Sequence, residues 1–269
     1  MFSSGHSDSI DFIDISYTIR DRIRKFFQQY SSDYRKENDP VYNRHMELKQ
    51  IHIEKVCDEI KKLGSFLGMK NNELAFAEVM ALLHDIGRFE QFDRYRTFSD
   101  AESENHAEIA LRIIEKEDLL HGIDELAGRI ILQSILSHNL PVVPEHKHPL
   151  INFYSRLLRD ADKLDIWRIT LENNIFHKIN TDFLSGIYDV PDILLSCFEQ
   201  QRIITLDMVN SFYDSVLFRM SWIFDLNFLY TLQIAHERGI FDKLSAKLPG
   251  SEKLMKITLI IHQYLLSNI

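Results

Sequence analysis

The stretch Ala81-Leu82-Leu83-His84-Asp85-Ile86-Gly87-Arg88 decides how this chain is read. An apolar run ends in two adjacent metal-type ligands, and a glycine follows. Imidazole and carboxylate side by side are a poor choice for a core. They suit a hard or borderline cation, which takes both together. The pair gains meaning from its company: His52 upstream, then His106, His138 and Asp162 downstream, each in its own helix-like segment.

Working outward, Ala75, Val79, Leu82 and Leu83 predict a helix that runs into the pair, with Asn71-Asn72-Glu73 as its cap and first turn. Before it, Asp39-Pro40 reads as an N-cap followed by a proline at the first helical position. Leu48, Ile51, Val56, Ile60, Leu63 and Leu67 then stripe one helix that ends near Gly68, with His52 beside the stripe. Ile15, Ile19, Ile23, Phe26, Phe27 and Tyr30 mark an earlier helix face, and residues 1 to about 12 read as frayed.

Downstream, residues 86–103 have no clear period and read as a long loop beside the site. Helices are expected from Ser103 to Ile114, from Asp124 to His138, and over 149–173, the last interrupted by Asp160, Asp162 and Asp165. The pattern weakens beyond Asn173, and further helices are expected at 191–199, 207–236 and 252–267. The aromatic stripe Phe212, Phe218, Trp222, Phe224 and Phe228 reads as core or dimer surface, so a homodimer is a candidate assembly. The expectation is an all-α fold in one domain. A helical segment over 1–40 packs on a metal-binding core over 41–175, and 176–269 forms a C-terminal helical extension of the same domain.

Composition agrees. Nine glycines and six prolines are too few for a turn-rich sandwich or barrel. A net charge of -9 argues against broad binding to nucleic-acid backbones, which needs clustered lysine and arginine. It leaves room for a small phosphorylated substrate met by a metal and a few local cations. Cys57 and Cys197 lie far apart and form no CxxC pair, which favours a reducing compartment and a cytoplasmic protein. The N-terminus lacks a secretory pattern, and no apolar run approaches the roughly 20 residues of a membrane helix.

Metal sites in helical proteins project ligands inward from several helices. One cation could be held by His52, His84, Asp85 and Asp162, and a second by Asp85, His106 and His138, with Asp85 bridging. Arg88, three residues past Asp85, could bind phosphate oxygens in bidentate fashion, and Lys163 could supply another charge. Arg156, Arg159 and Lys163 fall on overlapping helix faces, so some cations could line one mouth. Arg88 could instead pair with Glu90 or Asp93. Asp100 could orient a ligand histidine or cap a helix. The remaining histidines, His45, His146 and His148 among them, read as surface or satisfied core residues.

The order His52, His84-Asp85, Asp162 on helices resembles the HD-domain superfamily of metal-dependent phosphohydrolases. That family's pattern is a histidine, then His-Asp, then a later aspartate in an all-α fold. Leu158-Arg159-Asp160-Ala161-Asp162-Lys163-Leu164-Asp165 is similar to the family's last motif, in which the aspartate after alanine is the ligand, so the resemblance implies Asp162 over Asp160. It covers residues 45 to 170 or so. His106, in Glu104-Asn105-His106-Ala107-Glu108, and His138, in Ser137-His138-Asn139, match positions that binuclear HD proteins use for a second metal. Three groups share that feature: HD-GYP cyclic-dinucleotide phosphodiesterases, certain dinucleoside-polyphosphate hydrolases, and mixed-valent di-iron oxygenases. The chain departs from them. It has no Gly-Tyr-Pro motif. Arg88 stands where HD deoxynucleotidases place glutamate and where the HD-GYP and inositol-oxygenase groups place lysine.

The resemblance implies a phosphohydrolase that cleaves a phosphoester of a nucleotide or other small molecule through metal-activated hydroxide. Asp85, Arg88 and Lys163 would carry the chemistry, with one or two divalent ions among Fe, Mn, Zn, Ni and Mg. Two alternatives stand beside it: a di-iron oxygenase, because the same ligands serve both reactions, and a non-catalytic metal- or nucleotide-binding regulatory module.

Overall fold

The computed structural model describes residues 12–172 and 188–269. The frayed start and most of the weakly patterned stretch beyond Asn173 lie outside these residues. All regular structure among the described residues is helical. The helices are α1 (Tyr17–Asp33), α2 (Pro40–Phe66), α3 (Asn71–Leu83), α4 (Gly87–Tyr95), α5 (His106–Lys116) and α6 (Glu125–Ser137). They continue as α7 (Pro149–Glu172), α8 (Asp192–Glu199), α9 (Phe212–Ser221), α10 (Leu229–Glu237), α11 (Ile240–Ser245) and α12 (Glu252–Asn268). None of them is long and apolar enough to cross a membrane. The chain divides into two compact units, with the boundary in sequence between Asp165 and Ile166.

In the N-terminal unit α3 is the central helix. Every residue from Ala75 to Leu83 is buried, so this helix has no polar face and other helices pack around it. α2 and α1 flank it. α1 is tied down by Arg20 and Arg24, which both donate to the buried carboxylate of Glu78 on α3. α2 begins as its sequence dictates: the Asp39 side chain accepts from the Tyr42 amide at 2.9 Å, and Pro40 sits where no amide hydrogen is needed. It stops at Gly68, whose φ of +82° suits glycine. The ladder of α3 breaks at His84-Asp85-Ile86. There Ile86 donates to the Leu83 carbonyl and Arg88 to that of Asp85, a tightened turn before α4 starts at Gly87.

That glycine is required by close approach. A Cβ at Gly87 would lie 2.2 Å from the carbonyl oxygen of His106 and 2.7 Å from the amide nitrogen of Ala110. Both are backbone atoms of α5, so α4 and α5 can cross here only without a side chain.

The C-terminal unit runs from Ile166. α8 and α12 pack together, with α9, α10 and α11 around them over Leu194, Phe198, Leu217, Met220, Ile257 and Ile261. Trp167, at the end of α7, stacks edge-on against Phe241 and donates its indole N–H to the Arg219 carbonyl at 2.9 Å. Cys57 and Cys197, each buried in its own unit, are free thiols.

Three expectations need correction. Residues 86–103 are not one loop: 87–95 form α4, and only a single helical turn at Asp100–Glu102 punctuates the rest. α4 is too short for a window-based period. It buries Phe89 and Phe92 while Arg94 pairs with Glu90 on the wet side at 2.7 Å, and it ends where Arg96 adopts a left-handed φ of +58°. Secondly, 207–236 is not one helix: α9 is capped by Ser211, and extended backbone at Leu226 and Phe228 separates α9 from α10. Thirdly, α3 has no asparagine cap; Asn71 is its first residue, and Glu73 reaches back to the Lys70 amide.

Candidate metal centre

Each candidate ligand stands at a defined place in the N-terminal unit. His52 lies mid-way along α2, in the turn that buries Ile53 and Val56. His84 and Asp85 follow the end of α3. His106 opens α5, where the Asn105 side chain caps the helix by accepting from the Ala107 amide at 2.9 Å. His138 follows the end of α6, and Asp162 and Asp165, three residues apart, share a face of α7. The four imidazoles are at most 5% exposed.

The Nε2 atoms of all four histidines converge on the two carboxylates. His52 Nε2 lies 3.1 Å from Asp162 Oδ1 and 3.4 Å from Asp85 Oδ2. His84 Nε2 lies 3.7 Å and 3.8 Å from the same two oxygens. The other Asp85 oxygen, Oδ1, faces His106 Nε2 at 3.2 Å and His138 Nε2 at 3.8 Å. Three ligand triads have atoms all within 4.8 Å of one another: His52 with His84 and Asp85, Asp85 with His106 and His138, and His84 with His138 and Asp162. The last grouping links the two expected sets.

Every Nδ1 is held by an oxygen acceptor. His52 Nδ1 meets Asp165 Oδ2 at 2.7 Å, His84 the Ala81 carbonyl at 2.7 Å, His106 Asp100 Oδ2 at 2.8 Å, and His138 the Ile135 carbonyl at 2.6 Å. A neutral imidazole that donates from Nδ1 presents a bare lone pair at Nε2. With all four rings neutral and donating from Nδ1, their lone pairs would point into a space already lined by carboxylates. His84 Nε2 is buried with no hydrogen-bond partner. His106 Nε2 and His138 Nε2 face each other at 3.1 Å, where two lone pairs repel unless a proton or cation lies between. Nearby carboxylates (Asp85, Asp100, Asp162, Asp165) outnumber the nearby cations (Lys49, Arg88) four to two, a formal charge of -2 with neutral imidazoles. One divalent cation balances that charge, and the donor set suits one.

The titration behaviour follows from the same crowding. Burial opposes charge on Asp85, but Lys49, His84 and Arg88 hold its carboxyl well below the usual range. Burial likewise opposes charge on Asp162, but His52, 3.1 Å away, and the His84 ring beside it hold its carboxyl far below the usual range. Burial and Lys49 pull His52 down; Asp162, Asp165 and Asp85 more than reverse this and raise it to about 10. Burial, and then the His106 and His84 rings, push His138 down to about 3. The surrounding carboxylates thus favour a proton on His52, while burial disfavours one on His138.

The structure thus joins His52, His84, Asp85, His106, His138 and Asp162 in one cluster. Arg88 stands at its edge and pairs with neither Glu90 nor Asp93. Its Nε lies 3.4 Å from Asp85 Oδ1, and its Nη1 donates to Gln91, to the Phe98 carbonyl and to Asp100 Oδ1 at 2.9 Å. Lys163 is buried on α7, about 100° round the helix from Asp162, and none of the described contacts of the six ligands reaches it. Nor do the other cations share a mouth: Arg159 is buried and donates to the His138, Leu140 and Pro141 carbonyls, while Arg156 pairs with Glu145 in the open. Asp100 sits against His106 Nδ1, so it orients that ring. His148, expected to be solvated, has a buried and unpartnered Nδ1.

Two site residues were missed. Lys49 places its ammonium 2.8 Å from Asp85 Oδ2, and Asp165 holds His52. Both had a sequence signal: each stands one helical turn from a ligand, Lys49 before His52 and Asp165 after Asp162.

Residues 42–167 match the family model of the HD domain. No curated protein and no solved structure matches the chain significantly.

Proposed function

We propose that this HD-domain protein is a divalent-cation-dependent phosphohydrolase of a nucleotide or other small phosphoester, with a two-cation centre built on Asp85. The observation that carries this reading is the convergence of four imidazole Nε2 atoms on two carboxylates. His52, His84, Asp85 and Asp162 would hold one ion, and Asp85, His106 and His138 the other. Bound there, divalent cations supply Lewis acidity, which lowers the pKa of water and draws charge from a phosphoryl oxygen.

The chain's own residues supply the rest. Asp165, Asp100 and the carbonyls of Ala81 and Ile135 lock each ring in the tautomer that keeps its lone pair inward. Asp85 offers one oxygen to each histidine pair, so a single side chain spaces the two halves. Arg88 is anchored through Nη1, while its Nη2 makes no hydrogen bond among the described residues; with the side chain 15% exposed, it donates to a phosphate oxygen of the substrate.

The test pairs metal content with turnover. Protein purified without chelator is expected to hold about two metals per chain and to hydrolyse bis-p-nitrophenyl phosphate. His84→Ala and Asp85→Ala are expected to fold and to lose that activity. Activity surviving in either folded variant would remove this reading.

A further inference from the structure

We propose that Lys49 is the receptor for the anionic end of the substrate, exchanging Asp85 for a phosphoryl oxygen when the centre carries its cations; this rests on the hydrolase reading above. The geometry around Asp85 is two-sided. Oδ1 faces His106, His138 and Arg88; Oδ2 faces His52, His84 and Lys49. Each carboxylate oxygen thus has two imidazoles and one cationic side chain. The cations stand one helical turn outside the ligands, Lys49 before His52 and Arg88 after Asp85.

Exposure marks the open side of the centre. The imidazoles are sealed, whereas the side chains of Asp162, Arg88 and Lys49 are 14%, 15% and 21% exposed. Solvent thus reaches both cations; it also reaches Asp100, 32% exposed, but that carboxylate is already paired with Arg88.

The two cations differ in what else holds them. Arg88 has Asp100 as a second carboxylate partner. Lys49 has no acceptor but Asp85 among the described residues; its other neighbour is the ring of Phe98, 5.4 Å from Nζ to centroid. An aromatic face attracts an ammonium without neutralising it. A dication held at Asp85 would compete with Lys49 for its one acceptor among the described residues and would add a like charge beside the ammonium. Two dications would also turn the formal charge of -2 to +2. An anion between ammonium and cations relieves both problems. A compact ammonium with three donors suits a tetrahedral phosphate.

The experiment is calorimetric titration of inorganic phosphate into metal-loaded wild type, Lys49→Met and Lys49→Arg, with metal content measured beside each. The Met variant is expected to keep its metals and bind phosphate about 10- to 100-fold more weakly, the range for a hydrogen bond to a charged group. The Arg variant is expected to retain most of the affinity. Equal phosphate affinity in wild type and Lys49→Met, or no phosphate binding by wild type, overturns the proposal. So does metal loss in step with phosphate loss, which would assign Lys49 to holding Asp85. If the Met variant does not fold, Lys49→Gln is judged by the same criteria. The hydrolase reading fails separately, on absence of phosphoester turnover by wild type, and the phosphate titration still decides Lys49.

Discussion

Asp100→Ala tests whether the orienting residues act on one half of the centre. Asp100 accepts from His106 Nδ1, Arg88 Nη1, Gln91 Nε2 and Asn139 Nδ2. Three of these donors keep another acceptor: Arg88 the Phe98 carbonyl, Gln91 the Glu104 carbonyl, and Asn139 the Asn105 side chain. The donors left stranded are on His106, its Nδ1 and its backbone amide, which reaches Asp100 Oδ1 at 3.4 Å; a stranded buried donor costs about 1–3 kcal/mol. The ring is then also free to move its proton to Nε2, which would remove it as a ligand. Loss of such an orienting partner weakens metal binding by about 10- to 100-fold. Asp100 is 32% exposed, so water can enter the space and restore part of the bond. The lower half of that range, about 10- to 30-fold, is expected. Calorimetric metal titration should show one weakened site and one unchanged. Asp165→Asn should give the mirror result, weakening the site that holds His52. If either variant weakens both sites equally, or neither, the tautomer argument is wrong. A one-site isotherm in wild type would remove the second cation itself.

Gly87→Ala drives a methyl into two backbone atoms of α5, so it should cost at least the 1–3 kcal/mol or so of an overpacked core, read as a lower denaturant midpoint with an unchanged slope. In chelator, stability should peak near the ordinary histidine value of about 6.5. His52, raised to about 10, stabilises fully below that value and loses its contribution as pH rises toward 10, while His138, lowered to about 3, loses its own as pH falls below about 6.5. Metal loading, which displaces the His52 proton, should flatten the alkaline side. An alkaline limb that is the same with and without metal, in thermal melts from pH 5 to 10, would refute this.

The six clustered residues were legible because the cluster rests on residue type and order. His84 and Asp85 stand together at the end of an apolar helix, and the six residue types in this order are distinctive together. Lys49 and Asp165 were harder to see because lysine and aspartate on a helix usually mean a solvated face. Only the positions of His52 and Asp162, known in three dimensions, turn those side chains inward. Arg159 shows the opposite error. Its spacing put it on a shared face with Lys163, but three free carbonyls beyond the end of α6 claimed it. α4 escaped notice because its nine residues carry only two core aromatics among five charges and polar groups, too little for a period.

The His-Asp pair and the glycine behind it are best understood as one device. Within a regular helix, neighbouring side chains diverge by about 100°. In the tightened turn after α3 the backbone stays near-helical, and the reach of the two side chains brings His84 Nε2 and Asp85 Oδ2 within 3.8 Å. Two residues on, the bare Cα of Gly87 lets the first turn of α5 pass, and that turn carries His106. His106 Nε2 then reaches the other oxygen of Asp85 at 3.2 Å. A short turn therefore sets two ligands directly and admits a third from a helix that follows much later in the chain. A side chain at Gly87 should disturb the His106 half of the centre more than the His52 half, which hangs from α2 and α7 instead. Equal metal loss from both halves in a folded Gly87→Ala protein would mean that the turn merely supports the fold.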